Sequence, residues 1–176
     1  MNTNLLEKRE LEIVRNFLLG TDGSTTKAIE ILVGQDVTLE VYEQEIVSKN
    51  ELPKEISIHF LGKKNFLKRT STLKIGTQNA SHNIVYADLE FIPEEVVQEL
   101  KNETLPIGKL IKNFETRREI ISSKVKNIEP YKKLLNKAIL PATTYPVKEY
   151  KILQENCCLF YIFELFEETC ISNHLK

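Results

Sequence analysis

Two residues of this chain carry charges in places where a folded core tolerates them least. The first is Arg69, within Asn65-Phe-Leu-Lys-Arg-Thr-Ser-Thr-Leu-Lys-Ile75. Leu67, Leu73 and Ile75 there recur at a period of two, the signature of one strand face, and Arg69 and Ser71 fall on that same face. A guanidinium aimed into a core is costly unless something anionic meets it. Either a buried carboxylate of the chain or the carboxylate of a bound small molecule satisfies that demand, and the sequence leaves both open. The second is Glu164, the sole charge between Asn156 and Glu167, with Ile162, Phe163, Leu165 and Phe166 around it. A carboxyl in such surroundings ionises at a raised pH unless a cation or hydrogen-bond donors reach it. Arg69 is the obvious candidate partner. If both faced a cavity, they would grip the two ends of a small polar molecule.

Other chemistries lack their residues. The chain has no Gly-x-Ser-x-Gly, no glycine-rich phosphate loop and no dinucleotide fingerprint. His59, His82 and His174 are scattered and match no ligand spacing. Cys157, Cys158 and Cys170 are odd in number and include an adjacent pair, a poor disulfide framework. Neighbours on a strand point to opposite faces, so reduced thiols and no metal are expected. An enzyme built from these residues works by shape and electrostatics, with no cofactor. Arginine is rare beside lysine and occurs only at Arg9, Arg15, Arg69, Arg117 and Arg118. Its fork geometry marks those positions.

Several elements would position these groups. Leu5 to Leu19 reads as an amphipathic helix, with Leu5, Leu11, Ile13, Val14, Phe17 and Leu18 along one stripe. Gly20 ends it, Ser24 or Thr25 caps a second helix over Thr26–Leu32, and Asp22 is an alternative cap. Two helices joined by a tight turn also fit a DNA-binding pair, although the second offers only Lys27 to a phosphate or base. Val37–Val47 alternates as a strand with one wet face. Ile56–Leu61 reads as a short strand or an irregular connection. Asn65–Ile75 and Ile84–Ile92 pair as a hairpin across the polar turn Thr77–Asn83. Pro93 opens a helix to about Lys101, and Pro106 leads into another over Lys109–Phe114, leaving the amides of Ile107 and Gly108 free for an anion. Thr116–Val125, Val147–Gln154 and Cys157–Phe166 read as strands, the last apolar on both faces and so central. Glu129–Leu140 is a short helix or irregular segment. Strands joined by hairpins favour an α+β fold, an antiparallel sheet with helices packed on it.

Composition narrows the class further. The chain has 176 residues, 41% hydrophobic and 28% charged, enough for one domain with its own core. A net charge of −1 offers no general field for nucleic acid, and no apolar run reaches a membrane span. The first residues lack the build of a signal peptide. The expected compartment is the one where the chain is made, the cytoplasm, or the plastid stroma for a plastid-encoded chain.

Asp22-Gly-Ser-Thr-Thr-Lys-Ala-Ile-Glu30, Phe66-Leu-Lys-Arg69, Val85-Tyr-Ala-Asp-Leu-Glu-Phe-Ile-Pro93, Leu105-Pro-Ile-Gly-Lys-Leu-Ile111, Thr116-Arg-Arg-Glu119 and Phe163-Glu-Leu-Phe166 follow one another over nearly the whole chain. In order and rough spacing they resemble the chorismate pyruvate-lyase family, in the branch found in cyanobacteria, archaea and red-algal plastids. The resemblance implies a single domain over 1–176, with a six-stranded antiparallel sheet and a small site under helical flaps. It implies conversion of chorismate to 4-hydroxybenzoate and pyruvate, a step toward the head groups of plastoquinone or ubiquinone. The implied catalytic residues are Arg69 and Glu164. Arg69 would bind the ring carboxylate, the amides near Thr25 and Ile107 would add donors, and Glu164 would meet the ring hydroxyl. Neither membrane insertion nor nucleic acid enters, and a monomer is expected. Where some members carry an arginine, this chain has Asp88, leaving Arg117 or Arg118 to replace it and the hydroxybenzoate isomer open. Two other classes stand beside this reading. One is a non-catalytic domain that binds an aromatic carboxylate, as in sensor domains of transcription regulators. The other is a structural protein with an internal Arg69–Glu164 bridge.

Overall fold

The computed structural model describes residues 3–135 and 140–175. Six strands, β1 (Thr38–Ser48), β2 (Asn65–Ile75), β3 (Gln78–Asp88), β4 (Arg117–Asn127), β5 (Thr144–Gln154) and β6 (Cys157–Phe166), form one sheet in the order β1-β2-β3-β6-β5-β4. Every neighbouring pair is antiparallel. The helices are α1 (Thr3–Gly20), α2 (Thr25–Val33), α3 (Lys54–Ser57), α4 (Glu94–Lys101), α5 (Ile107–Leu110) and α6 (Glu168–Ser172). The architecture is therefore the α+β antiparallel sheet with packed helices that the hairpin pattern predicts. β6 lies inside the sheet and is buried along nearly its whole length, as its two apolar faces require.

The two faces of the sheet are covered differently. On one, Phe66, Ile84, Tyr86, Val147, Phe163 and Leu165 pack under α3 and the segment from Ile128 to Leu135. On the other, Leu67, Val85, Ile152 and Ile162 pack under α4 and α5. Beside them Leu73, Ile75 and Phe166 pack against Val14 and Leu18 of α1, Ile29 and Val33 of α2, and Ile171 of α6. Each large apolar side chain so buried contributes about 1.5–3 kcal/mol.

The structure revises several boundaries. β3 begins at Gln78, not Ile84, so the polar stretch expected as a turn is strand and the turn proper is Gly76-Thr77. Gly76 there has φ 58°, which a residue without a Cβ adopts freely. Residues 56–61 include part of α3 and no strand, and α5 is shorter than the helix expected over Lys109–Phe114. Glu129–Tyr131 is a single 3-10 turn, and residues 136–139 of the segment expected up to Leu140 lie outside the described residues. On α1 only Val14 and Leu18 of the expected stripe are buried, while Leu5, Ile13 and Phe17 are exposed. The helix rests on α6 and the β4–β5 end along a narrow strip. α2 is no recognition helix, since six of its nine residues are buried.

Asp88 has a structural role. Its parity puts it on the face opposite Arg69, where Oδ2 accepts from the Gly62 amide (3.0 Å) and Oδ1 from the Glu90 amide (3.1 Å). Burial still raises its pKa above the ordinary carboxylate value, with the two amides pulling it back. A Cβ on Gly62 would lie 2.3 Å from both carboxylate oxygens. Gly62→Ala is therefore expected to destabilise the fold by about 1–3 kcal/mol. Urea denaturation would show this as a lowered midpoint at unchanged slope.

Candidate active site

One row of paired residues crosses the sheet beneath α2 and α5. Ser71 of β2 faces Asn83 of β3, Asn83 faces Glu164 of β6, Glu164 faces Lys148 of β5, and Lys148 faces Ser123 of β4. The next row on the same face holds Gln44, Arg69, Val85, Ile162 and Tyr150. Polar residues on a buried face need a reason, and a cavity supplies it. Arg69, Ser71, Asn83, Arg118, Tyr150 and Glu164 line a space of about 470 Å³, its mouth included.

Arg69 is 1% exposed. Its Nε donates to Gln44 Oε1 (2.7 Å), Nη1 to the Leu105 carbonyl (3.4 Å) and Nη2 to the Leu100 carbonyl. Among the described residues no carboxylate lies within ion-pair distance of it. The internal Arg69–Glu164 bridge is therefore absent. Two strand spacings and a two-residue offset put their Cα atoms about 12 Å apart. Burial lowers the Arg69 pKa to about 10, so the group stays cationic at neutral pH. The fork is held by neutral acceptors, and Glu103 favours its charge without forming an ion pair with it.

Glu164 is 3% exposed, and burial pushes its carboxyl above the usual range. Lys148, Thr25, Arg118 and Tyr150 act in the opposite direction. The Tyr150 hydroxyl donates to Oε2 at 3.4 Å. Burial drives the Tyr150 phenol far up, so it remains a neutral donor. Burial likewise raises Cys158 to about 12, which leaves a neutral thiol rather than a nucleophile at physiological pH.

The roof is made by two helix starts. Ser24 caps α2, its Oγ accepting from the Lys27 amide (3.4 Å), and Thr25 and Thr26 line the cavity. Pro106, Ile107 and Gly108 at the start of α5 line it from the other side. The two helices touch: a Cβ on Gly108 would sit 2.6 Å from Ser24 Oγ. Lys109 Nζ also donates to the buried Glu30 of α2 at 2.7 Å. Among the described residues, two buried side-chain polar atoms lack a partner, Thr25 Oγ1 and Arg118 Nε. Both residues line this cavity. Thr25 Oγ1 lies beside Glu164 and Tyr150 without good hydrogen-bond geometry to either. Unpaired buried groups of this kind call for a water, an ion or a ligand. A second cavity on the opposite face contains Glu149, but Lys126 (2.5 Å) and Tyr161 (3.1 Å) already satisfy that carboxylate.

All four site residues expected from sequence, Thr25, Arg69, Ile107 and Glu164, line the one cavity. Of the two arginines in β4, Arg118 faces it while Arg117 is exposed. Sequence reasoning missed Asn83, Tyr150 and Lys148. Asn83 was hidden in a polar stretch that resembles a turn. Tyr150 and Lys148 alternate on a strand whose apolar face was not evident, although their shared parity was available.

With that geometry in place, the relatives are informative. Residues 19–173 match the model of the family described as chorismate pyruvate-lyase Rv2949c-like. The chain is 32% identical over 155 residues to "Putative lyase MJ0807" of Methanocaldococcus jannaschii, covering 85% of this chain and 75% of that one. In fold it is similar to the effector domain of PhnF from Mycobacterium smegmatis, with a TM-score of 0.55, 11% identity, and 82% and 88% of the two chains covered. It is also similar to the C-terminal domain of a histidine utilization repressor from Pseudomonas syringae pv. tomato, with a TM-score of 0.52, 10% identity, and 74% and 90% covered. At such identities these two structures speak to the fold alone. The extent of the family match, together with the lyase relative, decides the membership: the chain belongs to the chorismate pyruvate-lyase Rv2949c-like family.

Proposed function

We propose that the chain is one chorismate lyase domain that releases 4-hydroxybenzoate and pyruvate from chorismate in this cavity. The observation that carries the reading is a pair of arginines, Arg69 and Arg118, lining one cavity with no carboxylate of the described residues within ion-pair distance of either. Chorismate carries two carboxylates, and a guanidinium fork suits each. Arg69 takes the ring carboxylate, with the amides near Thr25 and Ile107 as further donors. Arg118 takes the carboxylate of the enolpyruvyl group, the role left open by Asp88. Glu164 accepts the hydrogen bond of the ring hydroxyl.

The reaction is an elimination. The hydrogen on the hydroxyl-bearing ring carbon passes as a proton to the Glu164 carboxylate, and its electron pair completes the aromatic ring. The neighbouring carbon–oxygen ether bond breaks, with its pair passing to the enolpyruvyl oxygen. The departing enolpyruvate gains a proton at its methylene carbon and becomes pyruvate. Aromatisation supplies the driving force, so the protein contributes a fixed conformer and charge stabilisation. Arg69 and Glu164 hold the ring between its carboxylate and hydroxyl. Arg118 meets the charge that develops on the leaving group.

Arg118 separates this reading from simple binding of an aromatic acid. Arg118→Ala is expected to lower kcat/KM for chorismate by about 10–100-fold, the loss of one charged contact. The affinity for 4-hydroxybenzoate, which lacks the second carboxylate, is expected to change less than about threefold on the same ground. Steady-state kinetics beside calorimetric titration would measure both. Equal losses for the two ligands would place Arg118 outside the enolpyruvyl pocket.

A further inference from the structure

Lys148 stands out among the groups that the proposed reaction does not use. It is 1% exposed, one of the largest side chains buried in the molecule. It sits directly across from Glu164 in the β5–β6 pairing, yet it forms no ion pair with it among the described residues. Its ammonium instead donates to the carbonyls of Leu18 (2.9 Å) and Thr21 (3.0 Å), at the end of α1 and just beyond it. The rings of Tyr150 and Phe166 lie 5.8 and 5.7 Å from it. Ser123, its neighbour in register on β4, donates to the Leu19 carbonyl at 2.6 Å. The sheet thus grips the end of α1 at three carbonyls, those of Leu18, Leu19 and Thr21. A cation at a helix C-terminus is favourable, and here it replaces water for carbonyls that would otherwise be orphaned. Three and four residues after Thr21 come Ser24 and Thr25, the cap and first residue of α2, which line the cavity.

We propose that Lys148 is a positioning residue for the site: it sets its side chain against Glu164 across the β5–β6 pair, and it pins the turn from which α2 presents Ser24 and Thr25 to the ligand. The proposal rests on the reading of this cavity as the substrate site. Glu164 is faced by Lys148 and Tyr150 from β5, Arg118 from β4, Asn83 from β3 and Thr25 from α2, and Asp22 acts on Lys148 in turn. Among the groups that oppose the burial of Glu164, Lys148 acts most strongly. Burial lowers the Lys148 pKa, while Glu164 and then Asp22 favour its ammonium form. The carboxylate opposite it in the strand pairing is Glu164.

Two variants separate the two roles. Lys148→Gln removes the charge but keeps an amide donor for the carbonyls of α1. Lys148→Met removes both. The first readout is the infrared carboxyl band of Glu164, assigned by its loss in Glu164→Gln and followed against pH without substrate. Its midpoint is expected to rise by about one pH unit or more in both Lys148 variants, the size of a close charge effect. The second is amide hydrogen exchange over residues 21–26. It is expected to accelerate at least about tenfold in Lys148→Met and much less in Lys148→Gln, the scale of losing one or two hydrogen bonds. If Lys148→Met does not fold, the infrared midpoint of Lys148→Gln decides. An unmoved midpoint in a folded Lys148→Gln overturns the electrostatic role, and equal exchange in Lys148→Met and the parent overturns the pinning role. Where chorismate turns over, the acid limb of kcat follows the infrared midpoint. If the parent protein leaves chorismate unchanged, the proposed reaction fails while both spectroscopic tests still judge Lys148.

Discussion

Arg69→Ala is expected to lower kcat/KM for chorismate by about 10²–10³-fold, the cost of deleting one member of a buried charge pair. The affinity for 4-hydroxybenzoate should fall in parallel, because both ligands present the ring carboxylate. That parallel loss distinguishes Arg69 from Arg118, whose deletion should spare the product. Arg69→Lys is expected to recover little. A lysine keeps a charge, but Arg69 already spends three donors on Gln44, Leu100 and Leu105 in one planar arrangement. The fold should survive, since the variant removes a buried cation that has no carboxylate partner among the described residues. Steady-state kinetics, titration with 4-hydroxybenzoate and a circular-dichroism melt would together decide it. Unchanged kcat/KM in a folded Arg69→Ala would remove this arginine from the substrate site.

Glu164→Gln is expected to cut kcat by about 10²–10⁴-fold, the usual range for a lost acid–base group, with a much smaller change in the affinity for 4-hydroxybenzoate. The amide keeps the shape and can still accept from the ring hydroxyl, but it cannot carry charge. The pH dependence has a definite sign. Burial raises the folded-state pKa of Glu164, so the carboxylate form is lost on acidification at a higher pH than for an exposed glutamate. The acid limb of kcat should therefore lie above about 4.3, and it should disappear in the variant. For stability, a raised carboxyl pKa contributes fully below the unfolded value and is lost as pH rises through the folded value. Ionised Glu164 is thus a cost at neutral pH, and the variant should melt no lower than the parent there. A folded variant with normal turnover would take Glu164 out of the mechanism.

Much of this site was legible before the fold was known, for a physical reason. A charge on an apolar strand face conflicts with its surroundings, and Arg69 and Glu164 each show that conflict in a few residues of sequence. The starts of α2 and α5 were legible through Ser24 and Pro106, whose side chains suit a first helical turn. The two charges read as each other's obvious partners, but the register separates them. That separation depends on β6 lying beside β3 and not β2, a long-range pairing that local pattern does not encode. Asn83 and Ser81 read as turn residues because their burial comes from other parts of the chain. Asp88 looked like a change in the substrate site. Its strand parity sends it to the opposite face, where it holds the Gly62 loop. Lys148 carried the same signal as Arg69, a cation among apolar strand residues, but its neighbours Glu149 and Lys151 made the strand look wet.

Cleavage of chorismate in this cavity is open to one direct test. The direct test is to incubate the purified protein with chorismate and follow both products by chromatography, with Arg69→Ala run alongside. One pyruvate and one 4-hydroxybenzoate are expected for each chorismate consumed, with both lost in the variant. Tight binding of hydroxybenzoates without turnover by the parent protein would contradict it, and would make the cavity a sensor for an aromatic acid.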